Sequence, residues 1–141
     1  MTKVDCSKVF VDTSTFSTYN NVFDCVFAKV DIKKGELVEK GLMCILSNNS
    51  KVFNGYKNPY VFTWSDDKPN YTWAIGSGCS TFYNTSLDSQ VNVKMIRYFK
   101  EHRFEIYAIK DIKAGDELTH RYKSLGWCNI FTSLYNNLLE K

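Results

Sequence analysis

Two prolines and two histidines are all that 141 residues hold of these types. With so little proline, long stretches stay free to pair as strands. His102 and His120 lie on separate segments, so the chain lacks the imidazole couples that histidine-based catalysis or zinc binding would use. No Cys-x-x-Cys or comparable ligand spacing joins Cys6, Cys25, Cys44, Cys79 and Cys128. No metal site is therefore expected, and the odd number reads as reduced, structural thiols of an intracellular protein. There is no apolar run of signal-peptide or membrane-spanning length, so no membrane partner is expected. A net charge of +3 with lysines and acids interleaved argues against direct nucleic-acid binding.

What the chain has is aromatic residues and β-formers. Ten Phe, nine Tyr and three Trp, with 44% hydrophobic residues overall, suffice for the core of a single domain. Short strands are expected at 8–11, 22–30, 60–64, 91–99 and 103–109, the last two forming a hairpin with its bend at 100–102. A further strand at 37–46 is expected to break at Gly41. Residues 47–59 and 65–70 read as loops. Residues 73–86, WAIGSGCSTFYNTS, fit neither a plain strand nor a plain helix. Residues 128–140 carry Ile130, Leu134 and Leu138 at helical spacing and predict a C-terminal helix. The expected fold class is mainly β, built of several small twisted sheets with that helix at the end.

One pattern occurs twice. Ala28–Gly35 and Ala108–Gly115 share A-x-x-D-I-K-x-G, 80 positions apart. Each reads as a strand running into a tight turn whose glycine takes positive φ. Two copies are too few for a solenoid. The second copy leads through E-L-T-H-R to Tyr122.

Three blocks in order resemble the SET domain of protein lysine methyltransferases. The first is Val26-Phe27-Ala28 through Gly35-Glu36-Leu37-Val38-Glu39. The second is GSGCSTFYNTS at 76–86, followed by Asn92, which is similar to the family's F-x-N-H-S segment. The third is 108–122, similar to A-x-x-D-I-x-x-G-E-E-L-T-x-x-Y. The resemblance divides the chain into an N-terminal extension (1–21) packing on the domain, a SET domain (22–127) and the C-terminal helix (128–141). It implies a pseudoknot in which the segment holding Asn84 threads beneath a C-terminal loop. It further implies S-adenosylmethionine as cofactor on one face and a substrate lysine entering from the other. The substrate would be a histone tail or another basic protein with an exposed lysine, and a homodimer is left open.

By the same resemblance Tyr122 is the catalytic tyrosine. Asp24, Cys25, Val26, Phe82, Asn84, Thr85 and Trp127 are the expected cofactor-binding residues. Tyr60, Phe62, Tyr83 and His120 are expected to line the lysine channel. Two departures stand out. Phe23-Asp24-Cys25 occupies the place of the family's G-x-G, and Thr85 replaces its histidine. They keep open a second reading, a catalytically weak or inactive SET-like protein-interaction module. The Asn-, Lys-, Tyr- and Phe-rich composition suits an AT-rich genome, that of a large virus acting in a host or of a protist.

Overall fold

The computed structural model describes residues 2–46, 60–65, 72–86 and 89–121. The expected C-terminal helix, Tyr122 and Trp127 lie outside these residues. Eight strands are described: β1 (Val9–Thr13), β2 (Asp24–Ala28), β3 (Leu37–Ile45), β4 (Phe62–Thr63), β5 (Trp73–Gly76), β6 (Val93–Tyr98), β7 (Arg103–Ala108) and β8 (Glu117–Leu118). They form a three-stranded sheet in the order β1-β2-β8 and a five-stranded sheet in the order β4-β5-β3-β7-β6. Short 3-10 turns cover Ser80–Phe82 and Phe99–Glu101.

The repeated motif organises both sheets. Ile32 and Ile112 pair with each other, each N–H donating to the other's carbonyl at 2.8 and 2.7 Å. Asp111 Oδ1 accepts the Lys34 N–H, and Asp31 Oδ1 accepts the Ala114 N–H, both at 2.9 Å. Gly35 N–H donates to Ala108 O and Gly115 N–H to Ala28 O, both at 2.8 Å. Each glycine sits at the positive φ that the turn requires, 90° and 93°. The strand leaving each copy then pairs with the strand entering the other. Leu37 lies opposite Tyr107 in β3–β7, and Glu117 lies opposite Phe27 in β2–β8. The two copies therefore form one pseudo-twofold clasp between the sheets.

The core lies around this clasp. Ile32, Ile112, Val26, Leu118, Val38, Phe104 and Ile106 are each no more than 2% exposed. Burying side chains of this size contributes about 1.5–3 kcal/mol each relative to exposure, before conformational entropy is set against it.

Two expectations need correction. Strand β3 is not broken at Gly41 but runs on for nine residues. A Cβ there would come within 2.4 Å of Ser77 Oγ and 2.6 Å of Phe104 Cζ, so the glycine permits close approach rather than ending the strand. The strand expected at 60–64 shrinks to Phe62–Thr63.

Candidate active site

The segment 84–86 crosses the strand end 117–120, and almost every polar group at the crossing is used. Asn84 and Thr119 form a parallel bridge, and Asn84 O accepts the His120 N–H at 3.0 Å. Ser86 Oγ and Thr119 Oγ1 share a hydrogen bond of 2.6 Å. Asn92 works on the other side of the same strand end. Its Nδ2 donates to Glu117 O at 2.8 Å, and its Oδ1 accepts the Thr119 N–H at 3.0 Å. An asparagine amide offers a donor and an acceptor side by side, so here it stands in for a neighbouring strand. This is why β8 ends at Leu118: the next residues are bonded to the crossing segment and to Asn92.

Strand β2 meets the crossing at its first residues. Asn84 Nδ2 donates to Asp24 O at 3.0 Å. Of the three β2 residues expected to touch a cofactor, only Asp24 is exposed; Cys25 and Val26 are fully buried. The backbone of β2 is paired by β1 along its length and by β8 at Val26 and Phe27. Cys25 Sγ lies 3.6 Å from Leu118 O, and burial pushes its thiol up to about 11. It fills the crossing as a small apolar group and is no nucleophile. Thr85 is buried as well, whereas Phe82 keeps 37% of its surface.

Of the expected channel residues, Tyr83 and His120 pack together, whereas Tyr60 and Phe62 have other surroundings. Tyr83 is 1% exposed, and its hydroxyl donates to Glu39 Oε1 at 2.8 Å. Burial, together with the neighbouring carboxylate, holds its phenol well above the ordinary range. Tyr83 is thus a core brace, not the channel wall expected of it: its hydroxyl is tied to a buried carboxylate. Tyr60 is 61% exposed. Phe62 packs under the Arg97 guanidinium, 5.7 Å from the ring centroid, and Trp64 lies 6.0 Å from the same group. Arg97 also donates to the Thr63 carbonyl. His120 is buried edge-on to Tyr83, with ring centroids 6.2 Å apart. Burial, aided by Arg97, lowers its imidazole to about 3, so it is neutral at physiological pH.

Against this geometry, the family model for the SET domain matches residues 24–123. The chain belongs to the SET-domain family. A curated relative, the histone-lysine N-methyltransferase EZH2 of Chaetomium thermophilum, is 28% identical over 128 residues. That match takes in 82% of this chain but 8% of the relative, so the chain spans only a small part of that protein's length. Among solved structures, polycomb repressive complex 2 in an autoinhibited conformation bound to S-adenosylmethionine (ctPRC2) aligns over 96% of this chain and 17% of its own. Its TM-score is 0.64 and its identity 26%. A candidate histone methyltransferase of Plasmodium falciparum aligns over 82% of this chain and 92% of its own, at TM-score 0.57 and 21% identity, a likeness of fold.

Seen as a SET domain, the chain keeps its asparagine segment at the crossing despite Thr85. Sequence reading missed Arg97 and Glu39. Arg97 looked like one charge on a hairpin strand. Glu39 belongs to the G-E-x-V-E run, and nothing local marks a glutamate as wholly buried. The structure also brings Cys6, Glu39 and Cys79 together, their ligand atoms all within 4.8 Å of one another. Their spacing in sequence, 33 and 40 positions, matches no metal motif.

Proposed function

We propose that this SET domain transfers a methyl group from S-adenosylmethionine to the Nζ of a lysine in a protein substrate. The observation that carries the reading is the crossing of 84–86 with 117–120, which sets Asn84 beside β2 and against the strand end that precedes Tyr122 in sequence. Asp24, Asn84 and the half-exposed Phe82 border the face where the cofactor would be held. The Cys25 side chain, although it stands where the family has glycine, is fully buried and takes no surface from that face. The exposed Asp24, the Asn84 amide and the Phe82 ring are the groups that support cofactor binding there.

Bound there, S-adenosylmethionine supplies an electrophilic sulfonium methyl. The protein's part is to orient and dry the approaching amine. A lysine with an ordinary pKa of about 10.4 must lose its proton before it can attack. Low-dielectric surroundings favour the neutral amine, and in-line positioning provides much of the acceleration. His120, neutral and buried next to the crossing, adds no charge that would hold the wrong protonation state. Tyr122, two residues further on, is the hydroxyl that would orient the amine. A histone tail is the first substrate to assay, because the curated relative is named for histone lysines.

Calorimetric titration with S-adenosylmethionine tests cofactor binding, and transfer of a tritiated methyl to core histones and other basic proteins tests the reaction. Saturable binding, with transfer reduced at least about 100-fold in Tyr122→Phe, is the expected result. A chain that binds no cofactor at millimolar concentration would instead be the inactive interaction module.

A further inference from the structure

Three donor groups meet away from the crossing. Cys6 comes from the N-terminal segment, Glu39 from β3 and Cys79 from the loop between β5 and the 3-10 turn at Ser80–Phe82. The N-terminal segment is held in place by Asp5, which exchanges two backbone hydrogen bonds with Lys40 at 2.9 and 3.0 Å. Glu39 is 0% exposed. Its Oε2 accepts the Cys79 N–H at 2.9 Å, and its Oε1 accepts the Tyr83 hydroxyl. Among the described residues, no lysine or arginine forms an ion pair with it. A buried carboxylate with two neutral donors and no cation is costly. The loop is also shaped around this carboxylate. Gly78 stands at φ +61°, and a Cβ there would lie 2.4 Å from Glu39 Oε2 and 3.6 Å from Cys6 Sγ. Only glycine lets the backbone wrap so closely.

We propose that Cys6 Sγ, Cys79 Sγ and the Glu39 carboxylate bind a zinc-class divalent cation, with water as the fourth ligand. Two thiolates and a carboxylate are a donor set that zinc accepts, at about 2.3 Å to sulfur and about 2.0–2.2 Å to oxygen. In a tetrahedron of those bond lengths the donors stand about 3.5–3.8 Å apart. Donors already within 4.8 Å of one another need only small side-chain rotations to close on an ion. On binding, each thiol releases its proton to solvent as its sulfur–metal bond forms, and the positive ion compensates the buried carboxylate. The ion would fasten the N-terminal segment to β3 and to the loop that leads through Ser80–Phe82 to Tyr83 and Asn84. Its role is structural, at the stem of the cofactor-bearing segment.

The full chain, reduced and stripped with a chelator, is titrated with cobalt(II) and separately with zinc. The expected result is equimolar cobalt binding with thiolate charge-transfer and tetrahedral d–d bands, displaced by zinc, and a zinc-dependent rise in melting temperature. Cys6→Ser and Cys79→Ser each lose affinity by more than the about 10–100-fold that loss of an outer-sphere partner costs. Cys44→Ser, which removes an exposed thiol elsewhere on β3, binds as the wild type does. Melting curves of the metal-free variants show whether they are folded. Because Cys6 lies in a half-buried edge segment, Cys6→Ser keeps the test open if Cys79→Ser does not fold. Absence of the thiolate bands in the wild type would overturn the proposal. So would wild-type affinity for cobalt in Cys6→Ser, or a Cys6–Cys79 disulfide in place of metal binding.

Discussion

The two copies of A-x-x-D-I-K-x-G make the same turn with the same bonds, yet the chain leaves them in different ways. After the first copy, β3 runs for nine residues through the middle of the larger sheet. After the second, β8 stops after two. The turns are specified by the same residues at fixed offsets, an aspartate, a buried isoleucine and a glycine, each bonded to the other copy. The continuation is decided by partners far away in sequence. Leu37–Ile45 finds β7 on one side and β5 on the other. Thr119 and His120, the positions corresponding to Glu39 and Lys40, are taken by Asn84 and Asn92. One half of the pseudo-symmetric clasp continues as a central strand, and the other ends at the crossing with 84–86.

The largest effect should come from the centre of the clasp. Ile32→Ala and Ile112→Ala each remove a buried side chain, and each should cost about 2–4 kcal/mol in urea unfolding. The two residues pair through their backbones and belong to one core cluster, so the double variant should lose less than the sum. Additive losses would mean that the copies do not stabilise each other.

The next effect separates the halves. His120 is buried and neutral, its imidazole lowered to about 3 from an ordinary 6.5. Protonation therefore favours the unfolded chain. Its contribution is fully present above pH 6.5 and is lost as pH falls toward 3, by about 1.4 kcal/mol per unit. Between pH 7 and 5 the wild type should lose about 2 kcal/mol more than His120→Gln. Equal losses would place the imidazole in solvent. Lys40, its counterpart in the first copy, lies on the scaffold side, and Lys40→Gln should leave this acid profile unchanged.

Much of this was legible in the sequence. The motif, its spacing, the aromatic hairpin and the asparagine segment are local signals, and the hairpin and turns occur where they were expected. The reciprocal pairing was not legible, because a repeat reports that two pieces are alike, not that they bind each other. Gly41 misled, since a glycine in a strand marks a break or a close approach, and only the Phe104 ring and Ser77 hydroxyl tell which. Tyr83 misled for a related reason. Adjacency to Asn84 suggested a channel, whereas its partner Glu39 is 44 positions away. The Cys6, Glu39 and Cys79 cluster was invisible because its members come from three elements.

A smaller effect sharpens the likeness of the copies. Gly35 and Gly115 have nothing within 4 Å of an added Cβ, so alanine there adds backbone strain alone. Each substitution should cost about 1–2 kcal/mol, and the two values should agree. A clear excess at Gly115 would mean that the second turn is also held from the side of the site.

The smallest effect concerns the two aspartates that cap each other's turns. Asp31 accepts from Ala114 in the second copy, and Asp111 accepts from Lys34 in the first. Both lie on the surface, where a single substitution usually changes stability by no more than about 0.5 kcal/mol. Asp31→Ala and Asp111→Ala should each fall near that bound. Their structural consequences should nevertheless cross over. Amide hydrogen exchange should quicken at Ala114 when Asp31 is replaced and at Lys34 when Asp111 is replaced. Each cap would then be shown to act on the other copy, and not on its own. Faster exchange within the substituted copy alone would reduce the clasp to two independent turns that happen to lie side by side.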